Sequence, residues 1–237
     1  MGARQRFEGR IAGVGSTSGV RVVVGWWQQT PFGSFADAMV ERPDGHRILL
    51  APTRQVADLI STTYVFDEVR IEPVEARAWS GVSPPAAAAH APGHGAGRGE
   101  PVSGQGPSRV GATWEVDSPS LHLELEVGPR TGTGRLLRVV PRALATSPAW
   151  ATVIDPVARV ALRGVRTRGV ARAGRREYYG AVDAHAVTSL EGRLDGIRLG
   201  HLAPVDPPCR FGFSSTPRSP SVTDVVTTIV DTDRPGG

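Results

Sequence analysis

Residues 83–108, SPPAAAAHAPGHGAGRGEPVSGQGPS, hold one aliphatic side chain larger than alanine, Val102, in 26 residues. A run built almost wholly of Pro, Ala, Gly, Ser and polar groups cannot bury enough apolar area to offset the entropy lost on ordering it. It reads as a disordered linker or a long loop, and it divides the chain into a segment 1–82 and a segment 109–237. A β unit of about 80 residues has only a marginal core of its own. The two halves are therefore expected to pack against each other.

Outside that segment the chain reads as short strands. RFEGRIAGV and GVRVVVGWW flank GSTSG, a small-residue hairpin loop, and FADAMVE and HRILLA flank Arg42-Pro43-Asp44-Gly45, where Pro presets φ and Gly accepts a positive one. Val56, Leu59 and Ile60 fall at helical spacing behind Thr53, which predicts one short helix with Thr53 as its N-cap. TYVFDEVRIEPVEARAW returns to strand character. In the second half GATWEVDS leads to Leu121-His122-Leu123-Glu124-Leu125-Glu126-Val127, an unbroken alternation with one buried face. GPRTGTG then reads as a turn, RLLRVV as a strand, and PRALATSPAWATV as a helical turn or an excursion around Trp150. VARVALRGVRTRGVAR, EYYGAVDAHAVTSLEG, GIRLGHLAP, RFGFSS and VTDVVTTIVD supply further strand candidates.

The fold class expected is mainly β, an antiparallel barrel or sandwich with one or two short helices and no βαβ alternation. The strand count resembles that of a lipocalin-like or other calycin-like barrel. That resemblance is one of architecture, without a family motif matched residue by residue.

Several chemistries are excluded by composition. Every cation counted as Lys or Arg is an arginine, so a P-loop lysine, a Schiff-base lysine and a Ser-Lys pair are all absent. Cys209 is the sole cysteine, which removes intrachain disulfides, CxxC redox chemistry and multi-cysteine zinc sites. Gly13-Val14-Gly15 is followed by a strand rather than the helix that a dinucleotide fingerprint needs, and Thr131-Gly132-Thr133-Gly134-Arg135 lies in a turn without a lysine. No cofactor is expected. The N-terminus lacks a signal-peptide core and no run of about 18 apolar residues occurs, so the expected setting is cytoplasmic and away from membranes.

The net charge of +4 is mild although the pI is about 10.1. It is concentrated, with seven arginines and no acid in residues 159–176. That strip lacks aromatic residues to stack on bases and is flanked by Asp155 and Glu177, so polyanion binding is the weakest of three functional classes considered.

Two sharper readings remain. Trp26 and Trp27 are adjacent in a strand and so point to opposite faces; one is expected in the core and the other at a cavity mouth with Phe32 and Phe35. With Tyr178, Tyr179 and Arg176 they form the candidate ligand-binding set for a small, largely apolar molecule. The alternative is an enzyme on the same scaffold. Strand parity puts Glu177, Tyr179, Asp183 and His185 on one face, opposite Tyr178, Val182 and Ala184, with His185 and Asp183 or Glu177 as acid–base groups. His122, Glu124 and Glu126 share a face at about 6.6 Å spacing, but a metal would need a further ligand from elsewhere, and the expectation is a solvated face with no metal. Asp37 and Glu41, about 13 Å apart on one strand, are too distant to act as a carboxylate pair.

Overall fold

A computed structural model describes residues 4–80, 112–147, 168–170, 175–212 and 216–231. The segment 83–108 lies outside the described residues. The chain begins with a long hairpin, β1 (Arg4–Ser16) and β2 (Arg21–Gln29), and a second hairpin follows, β3 (Phe35–Glu41) and β4 (Arg47–Ala51). The turn between β3 and β4 closes through Gly45, whose N–H donates to the Arg42 carbonyl at 2.9 Å with φ at +89°, a conformation that side chains beyond glycine resist.

Helix α1 (Arg54–Ser61) starts where the apolar spacing placed it. Thr53 adopts an extended conformation and its side chain accepts from the Val56 N–H, while Val56 and Ala57 turn inward. The helix carries the chain over to β5 (Glu68–Ile71), which pairs parallel to β4 with Ile48 opposite Glu68. It is the one parallel pair among the described strands of an otherwise antiparallel sheet. A strand of four residues bounded by polar side chains carries no long apolar run from which a parallel partner could be read.

β6 (Glu75–Ser80) pairs antiparallel with β7 (Ala112–Asp117), Ser80 lying opposite Ala112, and β8 (Leu121–Arg130) follows. Leu121, Leu123 and Leu125 are fully buried while His122, Glu124 and Glu126 are half-buried, as the alternation required. RLLRVV departs from expectation. Its first residues belong to helix α2 (Gly132–Leu137), capped by the Thr131 hydroxyl accepting from the Gly134 N–H at 2.9 Å, and α3 (Arg142–Ala145) follows. Gly134 permits the docking, since a Cβ there would lie 2.2 Å from the Ala184 carbonyl oxygen.

The rest of the sheet comprises β9 (Arg168–Val170), the 20-residue β10 (Arg175–Leu194), β11 (Ile197–Arg198), β12 (Leu202–Ala203) and β13 (Ser221–Asp231). RFGFSS was expected to be a strand, but residues 210–212 are irregular and 213–215 lie outside the described residues. Glu41 decides the local path by accepting from both the backbone and the guanidinium of Arg210.

All strands join one sheet, ordered β5-β4-β3-β2-β1-β13-β10-β8-β7-β6, with β9, β11 and β12 as side branches. β1 of the first segment therefore pairs directly with β13 of the second. The sheet curls as a half-barrel, mainly β with three short helices, which agrees with the fold class expected.

The curl buries both faces of its first strands. Inside, even-numbered residues such as Val22, Val24, Ala38 and Leu50 meet Trp114, Leu123 and Leu125 from the opposite end of the sheet. Outside, odd-numbered residues Val23, Met39 and Leu49 are covered by α1 and by Val205, Cys209 and Phe211. Two buried faces explain why β2 reads RVVVGWW instead of alternating with polar residues. Glu41, fully buried, pairs with Arg21 at 2.9 Å on this outer face.

Candidate functional site

Gly25 and Asp37 sit opposite each other in the β2–β3 register. Both project to the outer face, where glycine leaves a gap. The Asp37 carboxyl and the Trp27 indole fill it: Trp27 Nε1 donates to Asp37 Oδ1 at 3.0 Å. A Cβ on residue 25 would approach each of those two atoms to 2.5 Å, so the contact requires glycine.

This pair lies at the wall of a cavity of about 70 Å³. β1 contributes Phe7 and Ile11, β3 contributes Phe35 and Met39, and α1 with its exit contributes Leu59, Ile60 and Tyr64. β10 and β13 close it with Tyr179, Thr227 and Ile229. The Tyr64 and Tyr179 hydroxyls hydrogen-bond at 2.8 Å, joining α1's exit to the middle of the sheet. Phe7 meets Trp27 edge to face at 6.1 Å.

Asp37 is the only carboxylate among the described lining residues and is 4% exposed. Burial pushes its pKa up to about 7, and the Trp27 hydrogen bond opposes that rise only in part. Its second oxygen accepts no hydrogen bond from any described residue. Thr227 Oγ1, on the same lining, is likewise buried without a partner among the described residues. The cavity thus offers aromatic and aliphatic walls and one carboxyl whose pKa burial raises to about 7.

The sequence-derived residues distribute unevenly around it. Trp27, Phe35 and Tyr179 line the cavity, whereas Phe32 packs on Phe7 at 6.1 Å. Trp26 points into the curl and packs against Trp114 at 5.4 Å. Tyr178, half-buried, alternates to the side of β10 away from Tyr179. The side chains of Arg176 and Glu177 lie outside the described residues, as does the arginine strip from 159 to 167.

The common face expected for Glu177, Tyr179, Asp183 and His185 is not formed. A β-bulge between Ala181 and Asp183 inserts an extra residue, so Ala181 opposes Val225 but Asp183 opposes Asp224. Alternation reverses across it, and Asp183 and His185 leave the face that carries Tyr179. Asp183, 5% exposed, receives both Nε and Nη2 of Arg130 and the backbone N–H of Ala184. The Arg130 guanidinium, more than the burial that opposes it, holds its carboxyl below the usual range. No hydrogen bond among the described residues joins it to His185.

The cross-strand ligands that His122 would need are present, although Glu124 and Glu126 are not among them. Glu115, Asp117 and His122 bring their ligand atoms within 4.8 Å of one another on β7 and β8. His122 Nδ1 is 2.7 Å from Asp117 Oδ1, and all three side chains are half-buried. Desolvation, followed by its hydrogen bond with Asp117, raises the Glu115 pKa. A wider hollow of about 450 Å³ beside Arg4, Arg6 and Arg142 opens to solvent and has no enclosing apolar wall.

Asp37 was weighed from sequence only as a carboxylate pair with Glu41, and its place in this cavity wall was missed. Its signal was a carboxylate in phase with Phe35 and Met39 on a strand whose other face is also apolar.

Comparison of the chain with family models, curated proteins and solved structures finds no match. Among the described residues no helix is long and apolar enough to cross a membrane.

Proposed function

We propose that this protein is a binding module for a small, largely apolar molecule, held between the outer face of the sheet and α1. The observation that carries the reading is the partly open aromatic and aliphatic cavity with a single buried carboxyl among its described lining residues. Trp27, Phe35 and Tyr179 supply apolar contact, and Asp37 supplies the polar contact that orients a ligand. At about 70 Å³ the cavity has room for a few water-sized groups, so the ligand is far smaller than a typical lipocalin cargo. It also sits outside the curl, whose interior is filled by Trp114 and its neighbours.

The enzyme reading on His185 has less support, because Asp183 is already engaged by Arg130. A cytoplasmic setting belongs to the proposal. Cys209 is buried, its thiol pushed up to about 12 chiefly by that burial, and there is no second cysteine to oxidise it within the chain.

The test is an indole ¹⁵N–¹H spectrum of the five tryptophans recorded against a panel of small apolar fragments. Binding in this cavity shifts the Trp27 resonance and leaves that of Trp114 in place. Shifts confined to other indoles, or none across the panel, would overturn the proposal.

A further inference from the structure

We infer that the ligand this cavity selects is a small organic cation, an alkylammonium, whose charged nitrogen lies against Asp37 while its alkyl part contacts the aromatic walls. The inference rests on the binding reading above and specifies its ligand class.

Three features converge on a cation. The first is the free valence of the wall. Asp37 spends one oxygen on Trp27 Nε1, and its other oxygen accepts nothing from the described residues. An ammonium has N–H donors and no acceptor, which matches that open carboxylate oxygen.

Charge is the second feature. The described residues of β1, β2, β13 and α1 that line the cavity carry no ionisable group, and the remaining titratable side chains there are the phenols Tyr64 and Tyr179. No arginine among the described lining residues neutralises Asp37, unlike Glu41 with Arg21 or Asp183 with Arg130. A buried carboxylate without a counter-ion is costly, and an entering cation would supply one.

The third feature is the composition of the walls. Phe7, Trp27, Phe35, Tyr64 and Tyr179 surround the space, and aromatic π-faces attract cations while their bodies exclude water. Each indole or phenyl contact of this kind favours an ammonium over an uncharged molecule of the same shape. A carboxyl that titrates at about 7 is also ready to ionise when such a partner arrives.

The competing ligand is a neutral hydrogen-bond acceptor taken by the protonated Asp37 carboxyl. The two differ in the sign of their pH dependence. An alkylammonium needs Asp37 ionised, so its binding strengthens as pH rises through 7; a neutral acceptor needs the proton, so its binding weakens over the same range.

Isobutylammonium and its neutral isostere isobutanol are the probes, titrated into the full-length protein while following the Trp27 indole resonance. From about pH 5.5 to about pH 8.5 the amine remains charged, and its affinity is expected to rise about tenfold or more. At the upper pH isobutanol should bind about tenfold more weakly than the amine. Asp37→Asn should abolish the preference for the amine while keeping the isobutanol response; if that variant does not fold, the wild-type pH series decides alone. Isobutanol binding as well as the amine, or amine affinity that is flat or falls with pH, overturns the cation while leaving the apolar cavity standing. Failure of both probes to shift Trp27 overturns the cavity reading as well.

Discussion

Replacing Asp37 by Asn should make the protein more stable above neutral pH, and the size of the gain follows from the carboxyl's burial. In the folded protein Asp37 titrates at about 7, against an ordinary value of 3.8. Below 3.8 both folded and unfolded chains carry the protonated acid and burial of a charge costs nothing. As pH rises from there the unfolded chain ionises first, so folding stability falls, and above about 7 the loss is complete. At 1.36 kcal/mol per pH unit, the interval between 3.8 and about 7 corresponds to about 4 kcal/mol. Asn keeps a carbonyl oxygen for the Trp27 indole and cannot ionise. The difference in unfolding free energy between Asp37→Asn and the wild type should therefore be near its minimum at about pH 4 and should grow in favour of the variant by about 4 kcal/mol by about pH 8. Urea unfolding followed by tryptophan fluorescence measures it at each pH, with the slope checking that both proteins unfold to the same extent. A difference constant within about 1 kcal/mol over that range would show that Asp37 is not held neutral by its surroundings.

Other outcomes follow from the same packing. Gly25→Ala places a methyl group 2.5 Å from both Asp37 Oδ1 and Trp27 Nε1, and should cost about 1–3 kcal/mol in urea unfolding with a displaced Trp27 indole resonance. Glu41→Leu strands the buried Arg21 guanidinium and should cost about 3–5 kcal/mol, whereas the double variant Arg21→Met, Glu41→Leu should recover much of it; no recovery would mean that the loss came from Arg210 instead. Since Ser80 and Ala112 are opposite each other on paired strands, a six-residue Gly/Ser loop in place of residues 81–111 should leave the thermal midpoint within a few degrees, and loss of cooperative unfolding would show that this segment is structural.

The legible part of the fold was local. Thr53 with its apolar spacing specified α1, Pro43 and Gly45 specified the β3–β4 turn, and the period-two run from Leu121 specified β8, because each signal is contained within a few residues. Helix α2 was read as a turn running into a strand because its docking depends on Gly134 meeting the Ala184 carbonyl, a contact about fifty residues distant in sequence.

The sequence by itself determined that this is a mainly β chain without lysine or intrachain disulfide chemistry. The β1–β13 pairing that unites the two segments in one sheet, and the curl that gives β2 and β3 two buried faces, were decided only by tertiary structure. So was the site. Strand parity applied to residues 177–185 misplaced Asp183 and His185, because a single inserted residue reverses every side chain beyond it and the partner strand alone reveals the insertion. Asp37 was weighed only as a partner for Glu41, because a carboxylate on an apolar strand has the same letters whether water or a cavity lies above it; α1, β10 and β13 determine which, and all three reach it from elsewhere in the chain.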